Sequence, residues 1–589
     1  MEHIAIDFET YYNTGVGCDV KTLGPERYTE HPDFEVYLVA IIGPGIDYCG
    51  PVAQAPWDKF PKEWIGLAHN ARFEAPIFEY LVKHNLTNGV APVDWKCTAD
   101  LAAYMRSGRS LAEAARSLLK KPIDKTARTR MDGKRYADLP DERKFEMIAY
   151  CRNDAILCRE LWLCFGPLWP LWEQELSALN RKLGMRGVRV DTALLETFVR
   201  FTFEEKKEAA KAIPWEWPVD KTPLQMTKVV EFCQKEGVPA PESLAEDSNL
   251  CEQWVEKYGG SYSFVGAMRR WRKANIIERK VRAMKRRVDA EGRMPYAVKY
   301  FGSHTGRFSG ENAVNMLNQS NGEVVNDKSM RNLILPDSPE HKLAIIDWAQ
   351  IEPRVLLTLV GDTRSLDRIR SGESIYEVHA RNTMGWSGGK MKEENPEMYK
   401  LAKARVLGLG YGAGWKTFQM VALREYNLVL TDDEAQAQVQ DYRKENQLIT
   451  SFWRRMQVAA RRAHACGEDL VVNLPSGREL RYSNMRYEMN NLIAEPVIGS
   501  PRKIYGSKLV ENIVQAIARD IFGQKMLKLE GVFARLLFHV HDEYVFSLNR
   551  GSSNEGTIEM VKKILCEPVE WLPSCPLNVE IHFEDSYCK

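Results

Sequence analysis

The sequence has almost no charge excess. Its 81 basic and 80 acidic residues leave a net charge of +1 over 589 residues. Nucleic-acid binding therefore cannot be argued from global charge and has to come from local patches. No run of about 18 apolar residues occurs, so no membrane-spanning helix is expected. The twelve cysteines include no CxxC pair, so neither a zinc site nor a disulfide framework is indicated. Reduced thiols in a cytoplasm are the simpler account. Internal repeats and long low-complexity segments are missing too. The opening residues, MEHIAIDFETYY, enter a strand pattern at once, which leaves no room for a signal or transit peptide. What remains is an ordinary soluble composition, 44% hydrophobic and 27% charged, on a chain long enough for several domains.

Two stretches stand out. In Leu343–Arg354, LAIIDWAQIEPR, an apolar run reads as a buried strand that ends on one carboxylate, Asp347. A helix follows, with Pro353 in its first turn, where proline is tolerated, and with Ile351, Val355 and Leu359 on one face. The simpler reading of Asp347 is a cap on that helix. In Leu536–Leu548, LLFHVHDEYVFSL, two apolar runs flank His541, Asp542 and Glu543. This reads as strand, tight turn and strand, with two acids at the tip. If the two strands pair, Asp347 and Asp542 converge. Such a pair can hold two divalent cations roughly 3.5–4 Å apart, as in-line phosphoryl transfer requires. Hard oxygen ligands suit Mg²⁺.

The N-terminal part carries a second acidic pattern. Asp7 and Glu9 fall on one side of an extended segment after a strand at His3–Ile6. Glu74 lies in HNARFE, and Tyr150 and Asp154 lie four apart on an amphipathic helix. Two carboxylates on one side repel unless a cation joins them. Lys120–Arg130 is a basic loop, read as a solvated surface or a contact for single strands. Arg269–Arg287 holds ten Lys or Arg and one acid, Glu278. With Ile276, Ile277, Val281 and Met284 as its buried stripe, this helix presents a cationic face suited to a DNA backbone on any sequence.

DWAQIEPRVL resembles the first palm motif of family A DNA polymerases, the bacterial DNA polymerase I and phage replicase family, and VHDE resembles their last. The N-terminal acids resemble the three motifs of DEDD-type 3′–5′ proofreading exonucleases with a tyrosine. The resemblance implies an α/β multidomain chain: an RNase H-like exonuclease domain at 1–168, a helical thumb at 169–299, and palm and fingers at 300–589, with fingers at about 365–465. No 5′-nuclease domain is expected.

Site residues follow from the same resemblance. Asp347, Asp542 and the backbone carbonyl of Trp348 would bind two Mg²⁺, for which Mn²⁺ can substitute, and Glu543 would support them. Asp7, Glu9 and Asp154 would hold two further metals. Glu74 stands where the family has Asp, which puts the efficiency of proofreading in question, and Tyr150 would orient the attacking water. Gln350, Glu352 as steric gate, His379, Lys403, Leu407 and Tyr411 would line the nucleotide pocket. Lys403 would also act on the leaving pyrophosphate. A packed core histidine is the equal alternative for His379. Lys403, Leu407 and Tyr411 share an i, i+4, i+8 face of a helix over Tyr399–Gly414. The family has Arg at Tyr399, so Lys400 or Arg405 is the candidate replacement, and Phe or Tyr at Leu407. Arg307 of the TGR motif, Gln515, His541, Arg279 and Lys280 would contact DNA, while Asn318 and Gln319 match further amides loosely. Asn512, Gln515 and Arg519 share one helix face.

Expected partners are primer–template DNA and dNTPs, with a phage helicase–primase or processivity factor as a candidate. The expected state is a monomer in the cytoplasm, that of the host cell if a phage encodes it. Three other readings stay open: a polymerase with impaired or inactive proofreading, a single-subunit RNA polymerase, and a non-catalytic DNA-binding protein with two decayed sites.

Overall fold

The computed structural model describes residues 1–588 apart from 88–89, 124–127, 129, 219–221, 242–243, 245–248, 312–315, 319–321, 326 and 534. Gln319 lies outside the described residues, as do the Asn318 side chain and part of the Lys120–Arg130 stretch.

The N-terminal body is a five-stranded sheet: β1 (Glu2–Thr10), β2 (Val36–Gly43), β3 (Ile46–Gly50), β4 (Trp64–Ala68) and β5 (Asp94–Cys97). Their order is β3-β2-β1-β4-β5. β2 runs antiparallel to β1, and β4 runs parallel to it. A central strand covered on both faces needs apolar residues on both, and Ile4, Ala5, Ile6 and Phe8 are all buried. Helices α1 (Ala71–Lys83) and α2 (Asp141–Phe165) pack against β1. The strand runs past Ile6, where the sequence suggested its end, so Asp7 and Glu9 belong to it, and its register with β2 shifts after Glu9.

Helix α3 (Leu171–Arg186) leads to a short strand, Val188–Val190. It pairs with Arg293–Met294 and Ile334–Leu335. Helices α4 (Thr192–Lys211) and α5 (Ser263–Arg287) pack along each other. Ile277, Val281 and Met284 are buried in this contact, and Ile276 partly so. The cationic face of α5 is smaller than its composition suggests. Arg270 pairs with Glu205 (2.6 Å), Lys285 with Glu196 (2.5 Å), and Arg282 with Glu278 (2.8 Å). Arg287 is buried and donates to the Lys21 carbonyl. Among the described residues, Arg272, Lys273, Arg279, Lys280 and Arg286 keep no acidic partner. Arg272, Arg279 and Arg286, seven apart, make one stripe.

The C-terminal sheet holds β6 (His341–Trp348), β7 (Arg535–Val540), β8 (Glu543–Asn549) and β9 (Val579–Glu584), all antiparallel, in the order β7-β8-β6-β9. Leu343–Ile346 is fully buried in the centre. Burial of each such Leu or Ile contributes about 1.5–3 kcal/mol. Helix α6 (Ile351–Val360) follows β6. Further on come α7 (Pro396–Ala404), α8 (Gln447–Cys466) and the 25-residue α9 (Gly506–Glu530). Helix α9 locks onto the sheet through Tyr544, whose ring stacks on Phe522 and whose hydroxyl donates to the Phe522 carbonyl at 2.7 Å. Between α8 and α9 the stretch Asn473–Tyr482, NLPSGRELRY, reads as one hairpin with Ser-Gly in its turn. The structure has a four-stranded meander, Leu470–Asn473, Glu479–Glu488, Asn491–Val497 and Ser500–Lys503. Among the described residues no helix is long and apolar enough to cross a membrane.

Candidate active sites

The first site forms where β6 and β8 end together. Asp347 lies opposite Glu543, and the Trp348 N–H donates to the Asp542 carbonyl at 3.0 Å. Asp542 sits in the two-residue turn between β7 and β8, exposed, after His541 at φ +50°. The two acids thus differ in setting, and only Asp542 is at the tip. Glu543 is buried beneath it and accepts from the Tyr587 hydroxyl at 2.9 Å. Asp347 is not a helix cap. The residue before α6 is Gln350, at φ +50° and with no side-chain cap bond. Non-glycine residues in this region cost about 1 kcal/mol or more, and such strain gathers at functional turns.

A cleft of about 250 Å³ opens beside Asp542, lined by Arg307, Phe308, Glu352, Phe522 and His541 among others. The Arg307 guanidinium forms an ion pair with Glu352, and the Tyr411 hydroxyl lies 3.4 Å from the other Glu352 oxygen. Burial lowers the pKa of Arg307 while Asp542 works to raise it. Burial, then Arg307, lowers that of His541. Gly306 before Arg307 has φ +89°, and a Cβ there would come within 2.9 Å of the Phe301 ring, so the motif needs glycine at that place.

The segment around Lys403 departs from the expected helix. Helix α7 stops at Ala404, and Arg405–Leu409 is a π turn. The wider turn breaks the i, i+4, i+8 register, so Lys403 and Tyr411 are half-buried while Leu407 is exposed. Lys403 lies 5.7 Å from the Tyr426 ring centre. Both candidate replacements for the family arginine have partners within the chain: Lys400 pairs with Glu397 at 2.9 Å, and buried Arg405 donates to Gln438 at 3.0 Å. His379 lines a cavity of about 270 Å³ between Tyr411 and Tyr442. Its ring lies tilted against Tyr442, centroids 5.6 Å apart, and burial, then Arg405, pushes its pKa down to about 3. Both readings of His379, beside a triphosphate or within the core, are compatible with this place on the cavity wall.

On α9 the expected polar face is mostly internal. Asn512 is buried and donates to the Tyr482 hydroxyl at 2.9 Å, and Arg519 is buried in an ion cluster with Glu173 and Asp520. Gln515 is half-buried and donates to Glu511 at 3.1 Å.

The second site is a cleft of about 720 Å³ in the N-terminal body. β1 brings Asp7, the first turn of α1 brings Glu74, and α2 brings Tyr150 and Asp154, all of which line it. Glu9 is buried beside them. Burial raises Asp7 well above the usual carboxylate range, helped by Glu9, Asp154 and Glu74. Burial also raises Glu74, and it brings Glu9 to about 7. Tyr150 is raised by burial, then by Asp154. Asp7 Oδ2 and Glu74 Oε2 are buried without a hydrogen-bond partner among the described residues. Buried like charges with unmet acceptors are unfavourable unless a cation joins them, and an all-oxygen donor set of this kind fits Mg²⁺. One thiol intrudes: Asp7, Glu9 and Cys151 offer ligand atoms within 4.8 Å of one another. Cys151, however, donates to the Asp7 backbone carbonyl at 3.6 Å.

Sequence reasoning missed Arg128. It lies in the basic loop, lines the cleft, and its carbonyl accepts from Tyr12. Desolvation disfavours its charge, but Glu9, Tyr150, Asp7 and Glu74 outweigh this and raise its pKa. The density of arginines in that loop was the available signal.

Comparison with solved structures gives the fold class. The POL domain of Pol1 from M. smegmatis, in complex with DNA primer-template and dNTP, superposes with a TM-score of 0.65 at 17% identity. The match covers 99% of this chain and 95% of that one, so the fold is that of a DNA polymerase I polymerase domain. Among curated proteins, the DNA polymerase of Bacillus phage SP02 is 26% identical over 669 aligned residues, covering 100% of both chains. DNA polymerase I of Aquifex aeolicus is 24% identical over 560, covering 89% of this chain and 88% of that one. The profile of DNA polymerase family A matches residues 221–589. That is more than half of the chain, and the chain belongs to this family: it is a DNA-directed DNA polymerase.

Proposed function

We propose that this polymerase extends a primer by two-metal phosphoryl transfer, proofreads with a 3′–5′ exonuclease, and replicates phage DNA. The phage relative of equal extent supports the last point. Asp347 and Asp542, with the Trp348 carbonyl, would hold two Mg²⁺, or Mn²⁺ in their place. Bound there, the metals supply a Lewis acid for the primer 3′-hydroxyl and neutralise triphosphate charge. Glu543, fixed by Tyr587, keeps the turn in place. Lys403 binds the triphosphate and gives a proton to the leaving pyrophosphate. Tyr411 and Glu352 flank the sugar, with Gln350 and Leu407 beside them. Arg307 has to leave Glu352 to reach the primer–template, where Gln515 and His541 also act. The cations of α5 that keep no acidic partner among the described residues, Arg279 and Lys280 included, bind the duplex backbone.

Glu352→Ala should raise NTP incorporation relative to dNTP by about 10²-fold, because the carboxylate leaves no room for a 2′-hydroxyl. Single-nucleotide kcat/KM values with both sugars check it. An unchanged ratio would remove Glu352 from the gate.

One observation carries the proofreading reading. Acids from β1, α1 and α2 and the Tyr150 hydroxyl share one cleft, with an oxygen of Asp7 and one of Glu74 unmet among the described residues. The sheet order around β1 supports an RNase H-like domain. Asp7, Glu9 and Asp154, with Glu74, would hold the metals, and Tyr150 would orient the water. The test is a labelled primer–template incubated with Mg²⁺ and no dNTP. The wild type should shorten the primer, and Asp7→Ala should slow this by about a thousandfold while extension is kept. A wild type that extends but never shortens would mean that Glu74 has disabled the site.

A further inference from the structure

Helix α8 has one face without an assigned role. Its inner stripe, Ile449, Trp453, Met456, Ala460 and Ala463, belongs to the main core, and the helix packs along α9. Its outer face carries Arg454, Arg455, Arg461 and Arg462, all exposed. The two pairs are seven residues apart, two turns or about 10 Å along one side. Among the described residues none of the four has an acidic partner within ion-pairing distance, unlike Arg270, Arg282 and Lys285 of α5. A shallow concavity lies between them, rimmed by Arg454, Arg455, Arg462 and Glu468. Its floor is apolar: Ala459, Ala463 and Val458, the last 64% exposed. A merely solvated helix face mixes charge signs and does not place an exposed valine among unneutralised arginines.

We propose that this face of α8 binds the single-stranded template ahead of the primer terminus. The arginines grip phosphates, and an unstacked base lies on the Val458 floor. A duplex would hide its base faces from such a floor, so a single strand fits better. Unpaired template is the one single strand that every primer–template carries. The position agrees with this. Helix α8 starts two residues after the helix Asp432–Glu445, and it contacts both α6, which bears Glu352, and α9, which bears Gln515. The proposal rests on the chain acting as a template-directed polymerase.

The test measures affinity for one primer duplex with about 2 or about 20 unpaired template nucleotides, lengths below and above the site sizes of such surfaces. The proteins are the wild type, a variant with Arg454, Arg455, Arg461 and Arg462 all changed to Gln, and Val458→Glu. The wild type should bind the long overhang at least about fivefold more tightly, and both variants should lose that advantage. The salt slope of the quadruple variant on the long overhang should fall by about 2–3, at about 0.7 per phosphate contact. Its affinity for the short overhang and its single-nucleotide kcat should be unchanged, which excludes misfolding. The proposal is overturned if the quadruple variant keeps the advantage and the slope, as a protein-docking surface would. It is also overturned if the loss is equal on the short overhang, or if it appears only with a displaced downstream strand. A wild type that does not bind even the short overhang would sink the polymerase reading, and this proposal with it.

Discussion

Asp542→Asn should lower kcat for primer extension by at least about a thousandfold, a barrier increase of about 4 kcal/mol, and leave primer shortening at the wild-type rate. The substitution keeps side-chain shape and removes the charge. The turn itself should survive, because Trp348 donates to the Asp542 backbone carbonyl and not to its side chain. Glu543 should not take over its place, because the Tyr587 hydroxyl holds it beneath the turn. Asp347→Asn should have a loss of similar size. The double variant should be little worse than either single one, since groups that act as one unit are not additive. Single-turnover incorporation on a labelled primer–template, with primer–template Kd measured in parallel, checks this. Extension within tenfold of wild type would mean that Asp542 does not hold the catalytic charge.

What the sequence revealed follows from the range of each interaction. The β6 strand was legible because an apolar run that stops on a lone acid is a local pattern. The β7–β8 hairpin was legible for the same reason. Alternation in DFE put Asp7 and Glu9 on one side of β1. The failures are contacts between distant segments. Glu196 and Glu205 neutralise part of α5, yet they lie on another helix, so the run Arg269–Arg287 gave no sign of them. Arg519 shares a face with Gln515, and periodicity alone could not tell whether that face meets DNA or the acid of a remote helix. The π turn at Arg405–Leu409 is invisible to helical spacing, which assumes 3.6 residues per turn throughout. The position of Asp542, exposed, and Glu543, buried, also depends on where the turn falls, and one residue decides it.

Arg519 leads to the second large effect. Glu173, Arg478, Arg519 and Asp520 form a buried cluster of two cations and two anions, none more than 4% exposed. Arg519 donates to Glu173 at 2.8 Å and lies 3.3 Å from Asp520. Arg478 donates to Asp520 at 2.9 Å and to the Thr305 carbonyl at 2.9 Å. Tyr300 adds a bond to Glu173 at 2.6 Å. The cluster ties α3 and α9 to the loop that carries Arg307. Removing one partner leaves an unpaired buried charge, so Glu173→Ala or Arg519→Ala should each cost about 3–5 kcal/mol. Replacing both, as Glu173→Leu with Arg519→Met, should recover most of that, because apolar residues of similar volume incur no charge desolvation. Unfolding by urea, followed by a probe in the C-terminal part, reads the difference as a shift in midpoint at constant slope. The single variants should also bind primer–template more weakly, since Arg478 holds the Thr305–Arg307 loop by the same cluster, and the double replacement should restore binding only in part. Single variants within about 1 kcal/mol of wild type would show that water reaches these charges, and that the cluster is not what holds the loop.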